Sequence, residues 1–270
     1  MRVKKKCEIQ IWRASPGDVK FAQWRELTGL LDLAERSNAF KLRQDADRKV
    51  YILAHGLRRL GLAAMLKIAP EKLVFQDDKN GKPQLIQPAH HPVFQPVYFS
   101  HSHTRKGAIF AASTDVTVGV DVESTDTKAL DFALLSPFVA CSDAALTDNK
   151  NNAAVHFYRH WTSLEAFFKA LGTGLLSSNP RLRFLPDSQG HWRVQFESPH
   201  TADMAALASR AVVMPITSPL GCVASLAIVR PAASHADNSF FEPASEDIAL
   251  VIHEKDLTDL TPEDEFILYA

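Results

Sequence analysis

Several common functional signals are missing from this chain. Its 270 residues hold only three cysteines, Cys7, Cys141 and Cys222, far apart and odd in number. That excludes a disulfide framework and paired-cysteine metal spacing, and it fits a reducing cytoplasm. Neither sign of charge dominates: 30 Lys and Arg face 31 Asp and Glu, for a formal net charge of −1. No global basic field points to nucleic acid, so an anion site must be local. No apolar run is long enough to span a membrane. The opening residues, Met1 to Trp12, lack the apolar core of a signal peptide. A P-loop, a Gly-x-Gly-x-x-Gly turn and a Gly-x-Ser-x-Gly elbow are also absent.

What is there suits one large domain or two small ones with a real core. Hydrophobic residues make up 46% of the chain and charged residues 23%, ordinary values for a globular protein. Val116 to Glu123 has the cleanest period-2 pattern. Val116, Val118, Val120 and Val122 fall on one face of a strand, and Thr117, Gly119, Asp121 and Glu123 on the other. Trp161 to Leu175 reads as a helix stopped by Gly172 and Gly174. Trp161, Leu164, Phe167, Phe168 and Leu171 share its apolar arc, with Glu165 and Lys169 side by side at the rim and Ala166 and Ala170 on the small remaining face.

Further strands are expected at 7–12, from Val97, from Ala108, from Leu182, at 191–196 and at 221–229. One helix is expected over 18–37 and another over 41–66, the latter in one piece or broken at Gly56 or Gly61. Arg43, Arg48, Lys49, Arg58 and Arg59 along it read as a solvated face. Asn80-Gly81, followed by Pro83, is the strongest turn signal. Residues 124–155 look mixed, with an exposed polar tip at 148–152. The elements suggest α+β architecture in two similar halves, 1–115 and 116–232, followed by an acidic tail over 233–270 that either folds back or stays partly disordered.

Three constellations could carry chemistry. Asp121 and Glu123 put two carboxylates on one strand face, where each raises the other's pKa. A hard cation such as Mg²⁺ would relieve that conflict; a polar strand face in water is the plain alternative. Ser100-His101-Ser102-His103 at a strand end could bond a phosphate. Zinc on His90, His91, His101 and His103 is the rival, without a recognisable zinc spacing. Arg36, Arg43, Arg48 and Lys82 form a scattered basic set that matters only beside an anionic ligand.

Four of these segments occur in order: Asn-Gly-Lys-Pro at 80–83, Phe-Ser-His-Ser at 99–102, Gly-Val-Asp-Val-Glu at 119–123 and Trp-x-x-x-Glu-Ala-x-x-Lys-Ala-x-Gly-x-Gly-Leu at 161–175. Together they resemble the 4′-phosphopantetheinyl transferase superfamily, surfactin-synthetase-activating type, across roughly residues 35–230. The resemblance implies a pseudo-dimer in one chain with the active site in the cleft between the halves. It implies Mg²⁺ on Asp121, Glu123 and Glu165. It implies coenzyme A contacts from Lys169 at the diphosphate, Ser100 and His101 at phosphate oxygens, Lys82 and Pro83 at the adenosine end, and Arg48, with Arg36 and Arg43, near the 3′-phosphate.

The implied activity is Mg²⁺-dependent transfer of the phosphopantetheine arm of coenzyme A to a serine of an apo acyl or peptidyl carrier protein, by a cytoplasmic monomer without nucleic acid or membrane partners. Glu165 and Lys169 would carry the chemistry. Three positions depart from the family pattern: Leu164 stands where a lysine is common, Tyr98 where an asparagine is common, and Asp143 where a glutamate is common. Two other readings remain open, a non-catalytic relative that binds coenzyme A or a carrier, and a metal-dependent phosphohydrolase.

Overall fold

The computed structural model describes residues 5–86, 96–126, 150–174, 182–186, 191–196, 202–231 and 248–257. The first half runs β1 (Lys5–Ala14), α1 (Phe21–Leu30), α2 (Leu33–Lys41), α3 (Asp45–Leu66), β2 (Val74–Asp77), β3 (Pro83–Ile86), β4 (Tyr98–Thr104) and β5 (Gly107–Ser113). The second runs β6 (Thr117–Ser124), α4 (Lys150–Leu171), β7 (Leu182–Pro186), β8 (Trp192–Phe196), α5 (Ala202–Ser209), β9 (Ala211–Pro215) and β10 (Cys222–Val229). A last strand, β11 (Ile248–Asp256), lies in the stretch that the sequence leaves as a tail.

The halves share a plan. One sheet has the order β11-β1-β5-β4, the other β6-β10-β9-β8-β7. In each, the first strand of the half pairs with the last, which pairs with the one before it. They differ in their hairpins: β2-β3 stands apart as a two-stranded sheet, whereas β7-β8 extends the second sheet. β11 adds to the outer edge of the first sheet, parallel to β1, and Arg13 of β1 holds Glu254 and Asp256 of β11 by ion pairs.

Alternation builds the layers. Cys7, Ile9 and Ile11 of β1 and Ile109 and Ala111 of β5 meet the four valines of 116–122 and Leu226 and Ile228 of β10 in a core between the two sheets. The opposite faces of β1 and β5 present Trp12, Ala14, Ala108, Phe110 and Ala112 to α1–α3. On the far side, α4 packs Leu164, Phe167 and Phe168 with Val213, Ala227 and Val229. Four layers result: helices, sheet, sheet, helices.

Three helical expectations need correction. The span 18–37 is two helices, because Asp32 accepts from the Glu35 amide while Glu35 accepts from the Asp32 amide, a capping box that starts α2. α4 begins at Lys150, so the supposed polar tip includes its first turn. Arg58 and Arg59 of α3 are buried rather than solvated. That helix runs unbroken through Gly56 and Gly61, where a side chain would collide with Leu27 and Phe110.

Candidate active site

Two edge strands meet where the sheets join. The Val120 amide on β6 donates to Ser100 Oγ on β4 (3.1 Å), and Ser102 Oγ donates to Asp121 Oδ1 (2.8 Å). Alternate serines thus fasten β4 to β6. Above β6 lies α4, and Gly119 sets their separation. An added Cβ there would collide with the Ala166 carbonyl oxygen and the Ala170 backbone nitrogen. The small face of α4 is therefore the one seated on the sheet. Glu165 and Lys169, on the rim of that face, are held over Asp121 and Glu123.

A pocket of about 390 Å³ opens there, lined by His101, Ser102, His103, Asp121, Val122, Glu123, Trp161, Glu165 and Lys169. Lys169 Nζ donates to Asp121 Oδ1 (2.6 Å) and to Ser102 Oγ (3.1 Å). Asp121 is buried, and its Oδ2 has no hydrogen-bond partner. Burial, and then the Asp121 charge, push Glu123 up to about 7, against the pull of Lys169 and a hydrogen bond from Trp161. Burial and Asp121 also raise Glu165, with Lys169 opposing. One ammonium thus faces three carboxylates, and the pKa of two of them is raised.

A second pocket of about 260 Å³ is lined by Asn80, Gly81, Lys82, Pro83, Phe99, Ser100, His101, Lys169, Gly172 and Gly174. His101 and Lys169 line both pockets, which makes them neighbours along one cleft. Burial pushes His101 well below the usual histidine range, with help from the nearby Arg58, His55, His103 and Lys169.

The other basic residues are placed differently. Lys82 Nζ, held down by burial, donates to the Lys169 carbonyl (2.8 Å) at the end of α4. Arg36, Arg43 and Arg48 line neither pocket. Arg36 donates to the carbonyls of Leu31 and Gly29, both at 2.7 Å. Arg48 donates to the Leu42 carbonyl (3.1 Å) and pairs with Asp45. Arg43 is exposed. Leu164 is buried in the core of the second half, so that position faces away from the cleft. Tyr98 opens β4 and is 38% exposed. His90, His91 and Asp143 lie outside the described residues.

Sequence reasoning placed Ser102 in a phosphate-binding set but not against Asp121, and missed Trp161 as a wall of the cleft. Ser102 had a signal, since it stands two residues after Ser100 and shares its strand face. Trp161 had one too, one helical turn before Glu165.

Two family descriptions match this chain in tandem. Residues 12–115 match 4′-phosphopantetheinyl transferase, N-terminal, and residues 117–213 match the 4′-phosphopantetheinyl transferase superfamily. The chain belongs to the 4′-phosphopantetheinyl transferase superfamily.

Its relatives agree. A putative 4′-phosphopantetheinyl transferase of Synechocystis sp. is 26% identical over 192 residues, covering 66% of this chain and 75% of that protein. An L-aminoadipate-semialdehyde dehydrogenase-phosphopantetheinyl transferase of Xenopus laevis is 29% identical over 150 residues, 51% of this chain and 48% of that protein. The 4′-phosphopantetheinyl transferase HetI of Nostoc sp. is 26% identical over 172 residues, 62% and 70% of the two chains. The chain spans three quarters of the first relative's length but only about half of the second's. No helix among the described residues is long and apolar enough to cross a membrane.

Among the described residues, no three His, Cys, Asp or Glu side chains converge closely enough to ligate a metal as they stand. The donor chemistry nonetheless fits a hard cation: three carboxylates line one pocket, and a buried Asp121 oxygen has no partner.

Proposed function

We propose that this protein transfers the 4′-phosphopantetheine arm of coenzyme A to a serine of an apo acyl or peptidyl carrier protein. The observation that carries the reading is the surplus of carboxylate over cation in the first pocket. Beside it runs a cleft whose shared walls are His101 and Lys169. Two halves in one chain support the surfactin-synthetase-activating type.

In the proposed reaction the serine oxygen forms a bond to the phosphorus that bears pantetheine. The bond from that phosphorus to the bridging diphosphate oxygen breaks, and 3′,5′-ADP leaves with the electron pair. Such transfers depend on position and charge more than on covalent help. Asp121, Glu123 and Glu165 would hold Mg²⁺, which when bound supplies charge neutralisation at the diphosphate oxygens. Lys169 Nζ adds a fixed positive charge at the same place.

Glu165, which lines the first pocket beside Lys169, is a candidate to take the serine proton. Leu164 is in the core, so the proton acceptor must come from another position. Ser102 and Trp161 hold Asp121 and Glu123 in place. The second pocket receives the adenosine end, with Pro83 and Phe99 as its apolar walls. Ser100 Oγ accepts from the Val120 amide, which leaves its own hydroxyl hydrogen, beside His101, to donate to a phosphate. In this reading the protein acts as a monomer, since both walls of the cleft come from one chain.

The test is to incubate the protein with coenzyme A, Mg²⁺ and several apo carrier proteins, and to weigh carriers and small products. A mass gain on a carrier serine, with equimolar 3′,5′-ADP, is expected. Coenzyme A binding without a mass gain would mean a binding protein instead. Free phosphopantetheine without a carrier would mean a phosphohydrolase.

A further inference from the structure

The end of α4 is capped from the other half of the molecule. A helix leaves its last carbonyls without partners inside the helix. Here two donors from the β2–β3 turn supply them: Lys82 Nζ to the Lys169 carbonyl (2.8 Å) and Asn80 Nδ2 to the Gly172 carbonyl (2.7 Å). Gly172 has φ +71°, the left-handed conformation that ends a helix. The turn is itself braced. Asp78 Oδ1 accepts from the amides of Asn80 (2.8 Å) and Lys82 (3.0 Å), and the Gly81 amide donates to the Asp78 carbonyl. Asn80 and Lys82 are 92 and 87 residues from their acceptors, so this contact is purely tertiary.

Lys169 is the residue whose carbonyl Lys82 holds and whose ammonium sits on Asp121. Its backbone is gripped by the first half while its side chain serves the pocket. We propose that Asn80 and Lys82 are positioning residues, and that the turn fixes the end of α4 and thereby the Lys169 ammonium against Asp121. The same turn walls the second pocket through Asn80, Gly81 and Lys82. A ligand seated there presses on the element that holds Lys169, so filling one pocket steadies the cation of the other. The kinetic part of this inference rests on the transfer reaction proposed above; the structural part does not.

Asn80→Asp is the discriminating variant, because it keeps the shape, removes the donor and puts negative charge at the negative end of α4. Hydrogen exchange at the Gly172 and Thr173 amides, which close the last turn, should quicken about tenfold. The kcat for arm transfer should fall about tenfold. Asn80→Gln, which retains the amide donor, should recover about half of the lost kcat or more. Unchanged exchange overturns the proposal. So does faster exchange with unchanged kcat, which would make the turn a mere helix cap. If the wild-type protein transfers no arm, the preceding reading fails and the Lys169 ammonium resonance in ¹⁵N-lysine-labelled protein decides. A shift of that resonance in Asn80→Asp supports the positioning role, and an unmoved resonance overturns it.

Discussion

Among the described residues, each half of the molecule keeps a cluster of buried charge, and the two are built to opposite ends. In the first half, Glu35 is enclosed by Arg58, Arg59 and His55. Arg59 is wholly buried and fully used: it bonds Glu35, Asp32 and the carbonyls of Pro70 and Leu73, all within 3.0 Å. Burial alone would raise Glu35, but the bond to His55 and the charges of Arg59 and Arg58 outweigh it and bring it down to about 2. In the second half, Glu123 stands at about 7 and a buried Asp121 oxygen has no partner. The first cluster balances two arginines against two carboxylates, Glu35 and Asp32, and ties α2 to α3. The second has more anion than cation and opens onto a cleft. Charge that is closed on itself holds a fold together, and charge left in surplus at a pocket is available to a ligand.

The sharpest way to break the comparison is Glu165→Gln. If surplus carboxylate is what the second cluster uses, transfer should fall by about 10²–10³-fold while the circular dichroism spectrum and melting temperature stay near wild type. Near-full transfer by the folded variant would remove Glu165 from the machinery.

Next is Glu35→Gln, the corresponding change in the closed cluster. It strands Arg58 and Arg59, and should cost about 3 kcal/mol of stability in denaturant unfolding with kcat of the folded fraction unchanged. Its pH dependence sharpens the point. The folded-state value of Glu35 is depressed from 4.5 to about 2. Its contribution is therefore fully present above pH 4.5 and lost as pH falls from there towards 2. The stability difference between wild type and Glu35→Gln should shrink across that window. A difference that stays flat from pH 6 to pH 3 would show that Glu35 is not held ionised by its neighbours.

The smallest effect is expected from Arg36→Ala. Arg36 donates to the Gly29 and Leu31 carbonyls at the α1–α2 junction, so its loss should cost about 1 kcal/mol and leave KM for coenzyme A unchanged. A several-fold rise in that KM would place Arg36 at the ligand after all.

The opened cluster was legible in sequence because two periodicities point at it. Asp121 and Glu123 are two apart on a strand, Glu165 and Lys169 four apart on a helix, and each spacing fixes a shared face whatever the tertiary context. The closed cluster was not legible. Arg58 and Arg59 look like solvated charges until Glu35, more than twenty residues away, is folded against them. Arg36 and Arg48 bond groups within seven residues of themselves, and nothing in their spacing marks which cation reaches the cleft. The split at Asp32 was written locally, as Asp-x-x-Glu, and was passed over because the apolar spacing ran on across it. β11 was obscured by its acidic surroundings, since parallel pairing with β1 needs a partner almost the whole chain away.

Gly119 has a consequence for tolerance. Where side chains mediate a contact, a change of rotamer can absorb an error in the placement of a helix. Beneath α4 at this point backbone faces backbone, so no rotamer is available to take up slack. The distance across the cleft is then measured by peptide units, which are stiff and the same in every sequence. The site's dimensions are thereby shielded from most substitutions around it, and are exposed to almost any substitution of that one residue.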